Sequence, residues 1–161
     1  MHKALKKLEI SSTQIHSFLP QNKRIKNLLK FKEKRARVLV TTDISSRGLD
    51  LQGVDFVIHY NLPSSSSDFL HRSGRAARGQ RFGKTLSFIT QFDQDLIKAL
   101  EEKLQIEFKE YPTDSEKTIL KGMANIDKIK RKVKVKYLAS PYFDRFNKIK
   151  KLKKSQNPKN R

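Results

Sequence analysis

Three short apolar, β-branched runs restrict what this chain can fold into: RVLVTTD (residues 37–43), DFVIHYN (55–61) and KTLSFIT (84–90). The first is hydrophobic almost throughout instead of alternating, the pattern of a strand buried on both faces. Residues 10–18 alternate loosely and read as a further strand. Helical patterns lie between and beyond these runs. Residues 1–8 put Ala4, Leu5 and Leu8 on one stripe. In LPQNKRIKNLLKFKEK, Pro20 suits a first helical position, and Ile25, Leu28 and Leu29 recur at helical spacing. DQDLIKALEEKL (93–104) carries acids in its first turn. Buried strands separated by helices specify an α/β fold with a parallel sheet.

Entry signals refine the boundaries. SSSSDFLHR reads as a loop running into a short helix, capped by Ser67 or Asp68. Beyond Pro112 the pattern is helical, opening on a capping box of Thr113 with Glu116. The helix at residues 1–8 has no entry signal ahead of it, which implies a missing upstream element.

Charge divides the chain. Lys and Arg total 36 against 16 Asp and Glu, a formal net charge of +20. Residues 1–104 carry 19 basic and 10 acidic side chains; residues 105–161 carry 17 and 6. The composition boundary falls between residues 104 and 112. From Lys128 to Lys154 there are twelve basic residues and one acid, Asp144. Such a run repels itself unless a polyanion neutralises it, so the charge points to a polyanionic partner, either nucleic acid, ribosomal RNA included, or an acidic lipid surface. SQNPKNR (155–161) reads as a disordered tail. The chain has no Cys, which excludes disulfides and thiolate metal sites, and no metal site is expected. No apolar run has the length of a membrane span, and no secretory signal opens the chain.

GQRFGKT (79–85) imitates a phosphate-binding P-loop, but it is one residue short and leads into a strand, not a helix. The chain therefore has no grip of its own on a nucleoside triphosphate. Chemistry concentrates elsewhere. TTDISSRGLD (41–50) comes directly off a strand, where ligands gather in α/β sheets. HRSGRAAR (71–78) is read as opening a helix. Asp43, Asp50, Arg75 and Arg78 are expected to converge there. Arginines stand at every third position, Arg72, Arg75, Arg78 and Arg81, with no acid among them. They form either a solvated basic face or a site for an absent polyanion.

Taken in order with QNKR, these segments resemble motifs V and VI and the Q-x-x-R element of superfamily 2 helicases, DEAD-box RNA helicases in particular. The resemblance covers residues 1–104 and implies the second RecA-like domain, expected to lack its first strand and so to expose a sheet edge. It implies that Arg75 and Arg78 are arginine fingers stabilising charge on the γ-phosphate. It implies that Gly48 and Asp50 meet the ATP ribose region, that His71 couples to a partner domain, and that Gln21, Arg24 and Thr42 hold the RNA backbone. ATP with Mg2+ would be held mainly by a first RecA-like domain, absent from this chain and supplied in cis or in trans. Arg72 and Arg81 have no assigned role, and Asp43 is expected to be structural. Two departures stand out: Ala76 replaces the family's usual threonine, and Gln80 replaces a common glycine.

Residues 105–154 are expected to form a basic all-helical extension. With the preceding helix they resemble the end of nucleolar DEAD-box helicases of small-subunit ribosome assembly, which implies precursor ribosomal RNA as partner and a nucleolar location. Two alternatives stay open: a non-catalytic RNA-binding module derived from a helicase half, and a DNA-directed superfamily 2 helicase.

Overall fold

The computed structural model describes residues 1–43, 51, 54–76, 83–141, 143–144 and 146–148. In chain order the elements are α1 (His2–Lys7), β1 (Ser12–Ile15), α2 (Gln21–Lys32), β2 (Val38–Thr41), β3 (Phe56–His59), α3 (Ser66–Ser73), β4 (Lys84–Ser87), a 3-10 turn (Gln91–Asp93), α4 (Gln94–Leu104) and α5 (Glu116–Leu138). They fall into two compact units, Met1–Ser45 with Asp114–Arg161, and Ser46–Thr113. The expected tail at 155–161 lies outside the described residues.

In the first unit, β1 and β2 pair in parallel, with Ser12 opposite Val38 and Ile15 opposite Thr41. Parallel neighbours need a crossover, and α2 supplies it. Asn27 on α2 donates from Nδ2 to the Gln14 carbonyl at 2.8 Å, which fixes the helix to β1. Ile15, Leu19 and Ala36 are buried there, and so are the small polar residues Ser12 and Thr13. His2 Nδ1 lies 3.0 Å from Ser12 Oγ and joins α1 to β1. The chain leaves α1 through Glu9 at φ 61, with the Ile10 amide donating to the Leu5 carbonyl at 3.0 Å. This left-handed step closes the helix without a glycine.

Three sequence expectations shift in this unit. Pro20 is the N-cap, at ψ 150, and the helix proper begins at Gln21. Buried Leu19 sits in a turn whose amide donates to the His16 carbonyl, and the chain is still extended as it passes Pro20. β2 is half-buried, not buried on both faces, because β1 is its only strand neighbour among the described residues. α5 starts from Ser115, so the Thr113 capping box does not form; Ser115 Oγ lies 3.0 Å from Thr118 Oγ1. α5 runs 23 residues and packs against α1.

In the second unit, β3 and β4 also pair in parallel, Phe56 opposite Lys84 and His59 opposite Ser87, with α3 in the crossover. The core is an aromatic ladder. Buried His59 meets the Phe69 ring at 5.0 Å, and Phe69 meets Phe108 at 5.5 Å, both edge-to-face. Edge-to-face pairs add stabilisation beyond their buried area. The Phe108 amide donates to Glu101 Oε1 at 2.8 Å, which returns the chain after α4 to this core. α3 is capped by Ser65, whose Oγ accepts from the Asp68 amide at 3.1 Å, instead of by Ser67 or Asp68.

α4 is entered through a reciprocal cap. Asp93 Oδ2 accepts from the Thr90 amide at 2.8 Å and from its hydroxyl at 2.6 Å, while Thr90 Oγ1 accepts from the Phe92 amide. The Thr90 hydroxyl, then its amide, holds the Asp93 carboxyl below the ordinary carboxylate range. A depressed carboxyl stabilises the fold above its unfolded value, and that contribution disappears as pH falls through the folded value. NMR titration of the Asp93 side-chain carboxyl should therefore give a midpoint below that of an unstructured Asp peptide. Thr90→Val should raise it; an unmoved midpoint in that variant would refute the cap as the cause.

Candidate functional site

The second unit organises the arginine-rich segment. The Ser65 cap starts α3 six residues before His71, so the described part of HRSGRAAR, residues 71–76, closes a helix and does not open one. His71 and Arg72 occupy the last turn, where helix carbonyls favour cations. Past the helix, the amides of Gly74, Arg75 and Ala76 donate to the carbonyls of Leu70, Arg72 and Ser73 at 2.8, 3.1 and 2.9 Å. The Arg75 carbonyl accepts from the Val54 amide at 3.2 Å. Residue 75 is thus fixed on both sides of its backbone. Its guanidinium is partly exposed, and Nε donates to the His71 carbonyl at 3.3 Å. His71 itself is exposed.

Two neighbouring residues acquire structural roles. Arg72 donates from Nη1 to the Asn61 carbonyl at 3.0 Å, tying α3 to the end of β3. Ala76 is buried, and its carbonyl faces Gly83 so closely that a Cβ on residue 83 would collide with it. A small side chain at 76 suits that contact.

In the first unit, Gln21 and Arg24 occupy the first turn of α2, three residues apart, and so share a face. Gln21 is exposed. Arg24 is half-buried, and its Nε meets no acceptor among the described residues. Thr42 is exposed directly after β2. Its carbonyl accepts from the Thr41 hydroxyl at 3.3 Å. Asp43 follows it, also exposed. Gly48, Asp50, Arg78 and Arg81 lie outside the described residues, and so does Gln80. Of the four groups expected to converge, the structure describes Asp43 and Arg75, each within its own unit. No group of His, Asp and Glu able to hold a metal ion occurs among the described residues.

Residues 1–80, which contain all three motif segments, match the helicase conserved C-terminal domain. They belong to that family. A Dictyostelium discoideum relative, a probable ATP-dependent RNA helicase ddx49, is 47% identical over 112 residues, covering 70% of this chain and 22% of the relative. The Schizosaccharomyces pombe ATP-dependent RNA helicase dbp8 is 34% identical over 145 residues, covering 90% of this chain and 32% of that one. The chain therefore spans under a third of these relatives' length. A solved structure of Mss116p DEAD-box helicase domain 2 bound to an RNA duplex has the same fold, with a TM-score of 0.60 at 29% identity over 71% of this chain and 47% of that one. The parallel strands and crossover helices are accordingly those of a RecA-like DEAD-box domain.

Proposed function

We propose that this chain supplies the second RecA-like domain of an ATP-dependent DEAD-box RNA helicase. The observation that carries the reading is the ordered set QNKR, TTDISSRGLD and HRSGRAAR inside the helicase-matched residues. Residues 1–104 form the RecA-like domain in this reading, and residues 105–154 a basic helical extension that adds RNA affinity. The RNA is precursor ribosomal RNA in the nucleolus, in keeping with the resemblance of that extension to nucleolar helicases.

The residues fit an anionic nucleotide in their donor chemistry. Arg75 is a donor-only planar cation, suited to phosphate oxygens and held at a fixed backbone position. ATP with Mg2+, bound mainly by a first RecA-like domain in cis or in trans, supplies the phosphoanhydride. Arg75 and Arg78 stabilise the negative charge that grows there. Gly48 and Asp50 orient the ribose end, and His71 links that site to the partner domain. Gln21, Arg24 and Thr42 grip the RNA backbone. Arg24 comes to this task with its Nε lacking an acceptor among the described residues, and a phosphate supplies acceptor oxygens to the same guanidinium.

The decisive experiment adds a separately prepared first RecA-like domain of a DEAD-box helicase. RNA-stimulated ATP hydrolysis should appear in the mixture or the fusion and be absent from this chain alone. If no RNA stimulation appears, the chain is a non-catalytic RNA-binding module. Competition between RNA and DNA strands of equal length separates the RNA reading from a DNA-directed one; equal affinity would count against RNA.

A further inference from the structure

The first unit holds a second cluster of cations, outside the helicase motif segments. Lys3, Lys6 and Lys7 recur at i, i+3 and i+4 and share one face of α1. α1 packs against α5, and the two helices border a cleft of about 340 Å³. Its lining is Lys3, Lys6 and Lys7 from α1 with Val133 and Lys136 from α5. Four lysines therefore border one cleft around Val133, and no carboxylate residue lines it.

A solvated lysine face normally relieves itself with interspersed acids. The other cleft on α5 does so: Asp127 sits among Ala124, Lys128, Arg131 and Lys132, and pairs with Lys130 at 3.5 Å. Between α1 and α5 nothing comparable is present among the described residues. His2, beside this face, reports the same field. Its imidazole is held below its ordinary value by burial first, then by Lys6, the terminal amino group and Lys3.

We propose that the α1–α5 cleft is a second phosphate-backbone site, which binds single-stranded RNA through Lys3, Lys6, Lys7 and Lys136. This rests on the RNA reading above and adds a site to it that is separate from Gln21, Arg24 and Thr42. Lysine suits the role: a compact charge on a flexible stem follows a phosphate track without reading bases. Occupancy also has a structural consequence. The RNA strand bridges α1 to α5, so binding clamps the extension onto the helicase domain's first helix.

The test titrates the full chain with a fluorescein-labelled oligouridine at several salt concentrations. Replacing Lys3, Lys6, Lys7 and Lys136 by Gln should lower affinity about 10- to 100-fold near 0.1 M salt and reduce the salt slope by about 2–3, at ~0.7 per lost single-strand contact. A control removes equal charge elsewhere, at the exposed Lys30, Lys34, Lys98 and Lys103 outside the extension, and should lose far less. Equal losses in the two variants would mean that net charge alone is at work and would overturn the site. Lys136→Glu, at an exposed α5 position, gives a second measure without disturbing α1; its expected result is a clear loss, and unchanged affinity refutes the cleft. An unchanged cleft variant alongside a weakened Arg24→Ala removes this proposal and leaves the helicase reading standing. Failure of the wild-type chain to bind RNA at any salt removes both.

Discussion

Arg75→Ala should lower RNA-stimulated ATP hydrolysis by about 10³-fold or more in the two-domain assembly, the scale on which arginine fingers act in phosphoryl transfer. The fold gives this substitution a clean reading. The backbone at 75 is held by its amide to Arg72 and by its carbonyl to Val54, and neither bond involves the side chain. What disappears is a partly exposed guanidinium whose Nε bond to the His71 carbonyl, at 3.3 Å, is long. Stability and RNA affinity should change little, so the loss belongs in kcat. Arg75→Lys should recover only a small part, because an ammonium cannot make the planar two-point contact with phosphate oxygens. Steady-state ATPase with saturating RNA checks both variants. Full activity in Arg75→Ala would remove the finger assignment and shift attention to Arg72 and Arg78.

Arg72 shows where sequence patterning stops. Four arginines at a spacing of three look equivalent in the chain. The structure separates two of them: Arg72 donates from Nη1 to the Asn61 carbonyl and ties α3 to β3, while Arg75 donates from Nε to the His71 carbonyl at its own helix end. Spacing could not show this, because the acceptor is a backbone carbonyl eleven residues away. The strands were more legible. All four expected runs contain the observed strands, and both pairs are parallel as the alternation with helices implied. Helix entries were less so. SSSSD offers several capping residues of similar quality, and local chemistry cannot choose among them. Ser65 wins in a helix that buries Phe69 between His59 and Phe108. The same tertiary choice moves the described part of HRSGRAAR from a helix start to a helix end. For α5, Ser115 displaced Thr113 although the latter had Glu116 at capping-box spacing. The α1–α5 cleft had no signal in either helix alone, since its cations are over a hundred residues apart.

Gly83→Ala should be the most damaging single-methyl change in the second unit, costing about 3 kcal/mol, the upper end of the usual range for overpacking. A Cβ at residue 83 would run into the carbonyl carbon and oxygen of Ala76 and into its Cβ. Relief requires one segment to withdraw, and both are fastened. Ala76 is buried in the turn after α3, its amide bonded to the Ser73 carbonyl. Gly83 leads directly into β4, whose first amide, at Lys84, donates to the Asp55 carbonyl at 3.0 Å. Backbone cannot yield as the tip of a lysine would. Gly122→Ala supplies the contrast, since a Cβ there meets nothing within 4 Å and the residue lies inside α5. That change should stabilise α5 by about 0.8–1 kcal/mol through helix propensity alone. Chemical denaturation followed by circular dichroism measures both, and an unshifted midpoint in Gly83→Ala would refute the close approach. The glycine also bears on function. The segment it presses against continues from Arg75, so a methyl group at 83 should displace the guanidinium and depress ATP hydrolysis even in the fraction of molecules that remains folded.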